Sequence, residues 1–414
     1  MTAPDNCPHL RDAPWLRPGP LAQLLAVLDR DGEQARVVGG AVRNALLEQP
    51  IGDIDVATTA RPQEVIRRAE QAGFKAVPTG IEHGTVMVVV ERAPFEVTTL
   101  REDIETFGRK ATVRFGRDWK ADAERRDFTI NALSASRDGA VHDYVDGLAD
   151  LRARRVRFIG DPQTRIREDY LRILRFFRFQ ATYGSGPPDA AGLAAAVVLR
   201  AGLDRLSRER VRTELLKLLS GPHVVPTLAV MAETGILGSV LGGVPLLASF
   251  ANVTKVEAAA GLAPDPIRRL GALNVLVAED AERLHQRLRL ANAEYDRLAS
   301  MAERWWAIDP GRGEQVARAL LYRIGPDQFV DRVLLAWARS EAGAADAAWR
   351  DLASLPNRWI APRFPLRAAD FLRRGIPKGP ALGTALEAAE EAWIAGDFPA
   401  DDTTLAEIVE AAAR

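Results

Sequence analysis

At 414 residues the chain is longer than one simple core supports, so two to four domains are expected. Hydrophobic residues make up 47% and charged residues 27%, an ordinary globular balance, and the lack of any apolar run of about 20 residues excludes a membrane-spanning helix. The net charge of −1 does not itself point to nucleic acid; the single cysteine, Cys7, excludes an intrachain disulfide and fits a reducing cytoplasm, and five scattered histidines leave oxygen ligands for any metal.

The first residues, MTAPDNCPHLRDAPW, carry Pro and charges but no apolar signal core. Leucines at 21, 24, 25 and 28 predict an amphipathic helix over 20–30. Strands are expected near 35–38 and 54–57, with a short helix between them marked by Val42, Leu46 and Leu47. Pro62 opens a helix reaching about Ala72. FKAV (74–77), TVMVVV (85–90) and FEVTTL (95–100) read as strands. The order α-β-α-β-α-β-β-β describes a small mixed sheet with helices on it. Beyond about residue 160 no strand pattern remains, and GSGPPDAAG (184–192) reads as a loop between helices. The expected fold is α+β: a mixed-sheet head followed by an all-helical body filling more than half the chain.

Residues 39–55, GGAVRNALLEQPIGDID, carry the densest chemistry. Gly39 and Gly40 end a strand and open a helix, where backbone N–H groups can approach a phosphate. Arg43 follows within one turn. Positions i and i+2 of a strand face the same side, so Asp53 and Asp55 are expected to point together. Paired carboxylates beside a phosphate cradle suit two divalent ions and a nucleoside triphosphate. Glu96, on FEVTTL and opposite in facing to Val97, is a third candidate carboxylate, able to orient or deprotonate an attacking hydroxyl.

In RRDFTINA (125–132), Arg125 and Arg126 suit phosphate or ribose. Asn131 suits a sugar hydroxyl or a base, and Phe128, Ile130 and Ala132 form the packed side. Residues 151–180 hold nine arginines against Asp161, Glu168 and Asp169, a localised footprint for a polyanion, whereas the last thirty residues hold eight acids and one base, Arg414. REDYLRILRFFRF (167–179), taken as one helix, places Asp169, Arg172, Arg175 and Arg178 on an arc away from the apolar stripe, with Leu171, Phe176 and Phe179 interrupting it. One reading is an i,i+3 ion pair between Asp169 and Arg172. The other is base selection. Cytosine and adenine show an amino donor beside a ring-nitrogen acceptor, which a carboxylate beside a guanidinium matches and which uracil and guanine oppose.

With these segments the chain resembles the bacterial class II tRNA nucleotidyltransferase (CCA-adding enzyme) / poly(A) polymerase family, within the DNA polymerase beta-like nucleotidyltransferase superfamily. GGAVRN–GDID resembles its catalytic motif and RRDFTINA its ribose-recognition motif. DYVDGLADLRARRVRFIGDP (143–162) resembles the hinge between head and neck. EDYLR (168–172) resembles its base-selecting motif, and LSRERVRTELLKLL (206–219) the following neck helix. The likeness covers roughly residues 35–220; beyond it only helical content and GIPKGPALG (375–383) match.

The resemblance implies a catalytic head over 1–150, a base-selecting, RNA-binding neck over 151–225 and a tRNA-binding body and tail over 226–414. It implies that Gly40 and Arg43 bind the triphosphate, that Asp53 and Asp55 hold two Mg2+ ions, and that Arg126 contacts the nucleotide. Asp169 and Arg172 would pair with the base, supported by Arg175 and Arg178. GRKATVRFGRDW (108–119) would belong to a flexible loop linked to the change from C to A addition. The implied activity is addition of CMP and AMP from CTP and ATP to tRNA 3′ ends in the cytoplasm, with poly(A) or A-only addition as the alternative. No obligate protein partner and no membrane are implied. One departure stands out: Asn44 occupies a position where the family usually has Asp. No His-Asp hydrolase motif is visible in the body.

Overall fold

The computed structural model describes residues 8–413 apart from Arg11, Gly108 and Arg109, and for residues 102–113 the backbone alone. The chain divides into two compact units, Met1–Val240 and Leu241–Arg414.

The first unit opens with α1 (Pro20–Leu28), β1 (Ala35–Val38), α2 (Gly40–Leu46), β2 (Asp55–Thr58) and α3 (Pro62–Gln71). Then come β3 (Lys75–Gly80), β4 (Thr85–Val90) and β5 (Ala93–Thr99), the hairpin β6 (Arg101–Phe107) and β7 (Lys110–Phe115), α4 (Trp119–Glu124), and the short strands β8 (Ser134–Ala135) and β9 (Val141–His142). Seven strands form one mixed sheet in the order β3-β4-β5-β2-β1-β8-β9. β1 runs antiparallel to β2, and β2 runs parallel to β5, with Asp55 opposite Glu96. That parallel pair needs a crossover, which α3 and the β3–β4 hairpin supply. Alternation explains the facing: Val86, Val88, Val90 and Val97 are buried, while Glu96 is exposed. Leu21, Leu24, Leu25 and Leu28 of α1 are buried, and α1 packs on α3 and β4. Each such leucine contributes roughly 2 kcal/mol.

No strand follows β9 among the described residues. The rest of this unit is helical, with α5 (Gly147–Arg152), α6 (Pro162–Glu168), α7 (Leu171–Tyr183), α8 (Ala190–Val198), α9 (Arg208–Leu219) and α10 (Val224–Glu233). The 167–179 string is not one helix. α6 stops at Glu168, and Asp169 is extended, with φ −155° and ψ 107°. Its Oδ1 instead accepts the Leu171 N–H at 3.1 Å, at the entry to α7. The helical-wheel placement of Asp169 beside the arginines therefore does not hold. Phe176 and Phe179 are core residues: Phe128 lies 5.1 Å from Phe179 and 4.8 Å from Phe158, which in turn is 5.5 Å from Phe176. These rings lock the RRDFTINA string to α7.

The second unit is helical throughout the described residues, its longest helix running Glu314–Arg339 with a break at Gly325 (φ 78°). Its interior holds a charged cluster. Arg268 donates to Asp331 at 2.9 Å and to Glu257 at 3.0 Å, Arg269 to Glu257 at 2.8 Å, and Arg297 to Asp331 at 2.7 Å. Mutual pairing is what allows such charges to be buried. No helix among the described residues is long and apolar enough to cross a membrane.

Candidate active site

A cleft of 520 Å³ opens in the first unit between the strand ends of the head and the start of α7. Of the residues singled out in the sequence, Gly39, Gly40, Arg43, Asp55, Arg126, Asn131, Asp169, Arg172 and Arg175 line it. Asp53, Glu96 and Arg178 do not. Arg178 is turned to Glu214 at 3.0 Å and lies 4.5 Å over the Phe179 ring.

The cradle begins at Gly39, with φ 70° and ψ −123°, a backbone conformation that a side chain would strain. Its own N–H is spent on Leu133 O at 3.0 Å, so the amides at the start of α2, which precede the first helical bond from Arg43 N to Gly39 O, are those left for a ligand. A Cβ at Gly40 would stand 3.5 Å from Arg43 Nη2 and fill the space over the guanidinium. Arg43 is buried and held by neutral groups. It donates to Asn44 Oδ1 through Nε and Nη2, to Asn131 Oδ1 through Nη1, and to the Tyr183 hydroxyl at 2.6 Å. Desolvation pushes its pKa down, with Tyr183 opposing.

Asp53 is exposed and lies outside β2, which starts at Asp55. The i,i+2 argument thus rests on a strand that covers only one of the two acids. They are nevertheless close enough to interact. Desolvation raises the Asp55 carboxyl above its ordinary value; the Arg126 charge opposes this and the Asp53 charge adds to it. Glu96, opposite Asp55 in the sheet, is likewise raised by desolvation and then by the Asp55 charge. Among the described residues no group of three His, Cys, Asp or Glu side chains is gathered to hold a metal ion by itself. A divalent cation with Mg2+ chemistry does not need one, since it takes one or two carboxylates and completes its shell with substrate phosphate and water. The Asp55 and Glu96 carboxyls, each raised by burial and by a neighbouring acid, are relieved by such a cation, so the residues fit.

The arginines are ordered by carboxylates. Asp122 receives Arg125 at 2.6 Å and Arg126 at 3.1 Å. Asp127 holds Arg175 at 2.5 Å and accepts from Asn131 Nδ2 at 3.2 Å. Glu168 takes Arg165 at 2.7 Å and also Arg172. Asp169 and Arg172 form no ion pair with each other: Asp169 Oδ2 meets Arg210 of α9 at 2.5 Å. Arg155 and Arg157 are bound to buried Asp150. Six of the nine arginines in 151–180 are thus committed to named carboxylates, and Arg152, Arg154 and Arg167 are exposed. Asp127, Tyr183 and Arg210 belong to the site and were not singled out by spacing. Asp127 stood inside RRDFTINA and Arg210 inside LSRERVRTELLKLL, whereas Tyr183 carried no local signal. In the 108–119 string, Gly108 and Arg109 lie outside the described residues, and β7 supplies backbone alone up to Val113.

A family model described as the poly A polymerase head domain matches residues 35–157, and one described as the probable RNA and SrmB- binding site of polymerase A matches 193–250. The mitochondrial CCA tRNA nucleotidyltransferase 1 of Mus musculus is 33% identical over 385 residues, covering 90% of this chain and 86% of that protein. The chain belongs to the CCA-adding tRNA nucleotidyltransferase family. The CCA-adding enzyme of Limosilactobacillus fermentum is similar at 32% over 403 residues, 93% of this chain and 95% of that one. The Bacillus stearothermophilus CCA-adding enzyme, solved in complex with CTP, matches with a TM-score of 0.74 and 28% identity over 95% of this chain and 96% of that chain. A mammalian mitochondrial and a bacterial CCA-adding enzyme stand at nearly the same level of similarity, 33% and 32%, so the likeness does not separate the two groups.

Proposed function

We infer that this chain is a template-independent nucleotidyltransferase that adds CMP and AMP from CTP and ATP to the 3′ end of tRNA, building and repairing CCA and releasing pyrophosphate. The observation that carries this reading is one cleft in which a buried, carboxylate-free arginine and a glycine cradle meet the Asp169–Arg172 pair of groups. The first pair suits a triphosphate and the second a base that offers an amino group beside a ring nitrogen.

Asp53 and Asp55 would hold two Mg2+ ions, which when bound lower the pKa of the primer 3′-OH and neutralise the departing pyrophosphate. Arg43 takes the triphosphate oxygens and Gly40 keeps their approach open. Arg126, fixed by Asp122, reaches the nucleotide beside Gly39, where its Nη1 lies 3.4 Å from the place of a Cβ. Glu96, its carboxyl raised, is suited to take the proton of the attacking hydroxyl. Asp169 accepts from the amino group of C or A and Arg172 donates to the ring nitrogen. Arg175 braces that face through Asp127, and Arg178 supports it from behind through Glu214.

We assign catalysis to residues 1–150, base selection and RNA binding to 151–225 and tRNA binding to 226–414, the basic neck and the helical body gripping the tRNA backbone together. We read the chain as a bacterial class II form working in the cytoplasm, where a lone cysteine meets no oxidant. Primer extension on tRNA lacking CCA tests the activity. CTP alone adds C, ATP alone adds nothing to that end, and both complete CCA. Incorporation of A without C overturns the reading in favour of poly(A) or A-only addition.

A further inference from the structure

Six arginines line the cleft, and five of them carry a carboxylate partner: Arg125 and Arg126 on Asp122, Arg172 on Glu168, Arg175 on Asp127 and Arg210 on Asp169. Arg43 is the exception. It is only 6% exposed, yet no described carboxylate pairs with it. Asp127 acts on it through space and is itself taken by Arg175. A buried guanidinium without a counter-charge is costly, and the cost is recovered when an anion arrives.

Asn44 is what keeps Arg43 in that state. Its Oδ1 accepts from Arg43 Nε at 3.1 Å, from Arg43 Nη2 at 2.9 Å and from the Tyr183 hydroxyl at 3.3 Å. Its Nδ2 donates to Pro50 O at 2.8 Å, on the turn that leads to Asp53. The partners fix the amide orientation, because a flip would set donor against donor at Arg43 and acceptor against acceptor at Pro50. A carboxylate at this position would keep the contacts to Arg43 as a charged pair and set an oxygen against the Pro50 carbonyl.

We propose that Asn44 is a positioning residue whose neutral amide aims the Arg43 guanidinium while leaving its charge for the substrate's triphosphate. The position therefore sets affinity for triphosphate and for the pyrophosphate product. This rests on the triphosphate role of Arg43.

The test compares full-length wild type, N44D and N44S. Binding of inorganic tripolyphosphate is measured in EDTA, and KM and kcat for CTP and ATP are measured with metal. In N44D the tripolyphosphate Kd, both KM values and the pyrophosphate inhibition constant rise by a common factor of about ten, the scale of one charged hydrogen bond, while kcat stays within about twofold. N44S, neutral but without the amide that aims Arg43, raises the Kd by about threefold, less than N44D because only the aim is lost, and affinity unchanged from wild type in N44S overturns the positioning role. Wild-type affinity in N44D, or a loss in N44S as large as that in N44D, overturns the proposal. Should N44D not fold, N44S decides alone, and a loss of about tenfold there overturns it. If wild type itself fails to bind tripolyphosphate, the triphosphate reading of Arg43 is at fault rather than the role of Asn44.

Discussion

Asp55 and Asp169 show how two acids in one cleft acquire different work. Asp55 stands beside Asp53 and opposite Glu96, with desolvation raising its carboxyl, so its charge is disfavoured until a cation arrives. D55N should therefore lower nucleotide incorporation by roughly 10³-fold or more. It should leave Tm unchanged or higher, because the substitution removes a charge that the fold disfavours. A fall in Tm, or retained incorporation, would show Asp55 to be structural. Asp169 is instead held by Arg210 and by the start of α7, and we propose that it accepts from the incoming base. D169A and R172A should each reduce the kcat/KM preference for CTP over UTP by about 10–10²-fold, since the discriminating hydrogen bonds are lost. Competition primer extension reads that ratio directly, and an unchanged ratio would remove the pair from base selection.

At the level of elements, α4 is a short helix whose task is to aim two arginines. Its buried Asp122 fixes Arg125 and Arg126, and although desolvation raises the Asp122 carboxyl, the Arg126 and Arg125 charges win and hold it below its ordinary value. A depressed folded pKa contributes stability that is present above the unfolded value of about 3.9 and is lost as pH falls through the folded value. D122N should cost about 2 kcal/mol at pH 7, a figure discounted for the partly exposed arginines. Urea titrations should show the gap to wild type constant down to about pH 5 and closing below about pH 4. A gap that widens in acid would contradict the assignment. α7 works in the same way on the neck side, where Arg175 and Arg178 meet Asp127 and Glu214 across three segments of chain.

Across the whole molecule, charge is spent inside before it is offered outside. Most arginines of the basic stretch hold carboxylates, and the second unit buries its own cluster around Glu257 and Asp331. Within the 151–180 stretch the arginines left exposed are Arg152, Arg154 and Arg167. Binding to tRNA should weaken by about 10²-fold between 50 and 200 mM salt, less than for a protein with many phosphate contacts. The triple variant R152A/R154A/R167A should flatten that dependence in a filter-binding assay while leaving KM for CTP within about twofold. An unflattened slope would place the RNA contacts elsewhere.

Some of this was legible without coordinates. The β-rich runs at 85–90 and 95–100 and the leucines of 20–30 are local signals within one element, and the structure has strands at Thr85–Val90 and Ala93–Thr99 and a helix at Pro20–Leu28. Gly39, Gly40, Arg43 and Asp55 sit within one strand–turn–helix–strand passage, so their proximity was written in short spacings. Other decisions belong to the tertiary structure. Asp169 left its helix because its carboxylate found a backbone N–H in α7 and the Arg210 guanidinium 41 residues on. Tyr183 meets Arg43 across 140 residues, and Glu96 meets Asp55 only because β2 pairs with β5 after a crossover. Periodicity encodes which side of an element is buried; it carries nothing about which distant element arrives there. Short-range motifs in the amino-acid sequence were enough to indicate the nucleotidyl-transfer class and to gather Gly39, Gly40, Arg43 and Asp55 in one passage of chain. Sheet order and the break between α6 and α7 decided which charges are paired, because they set which distant carboxylate each arginine meets.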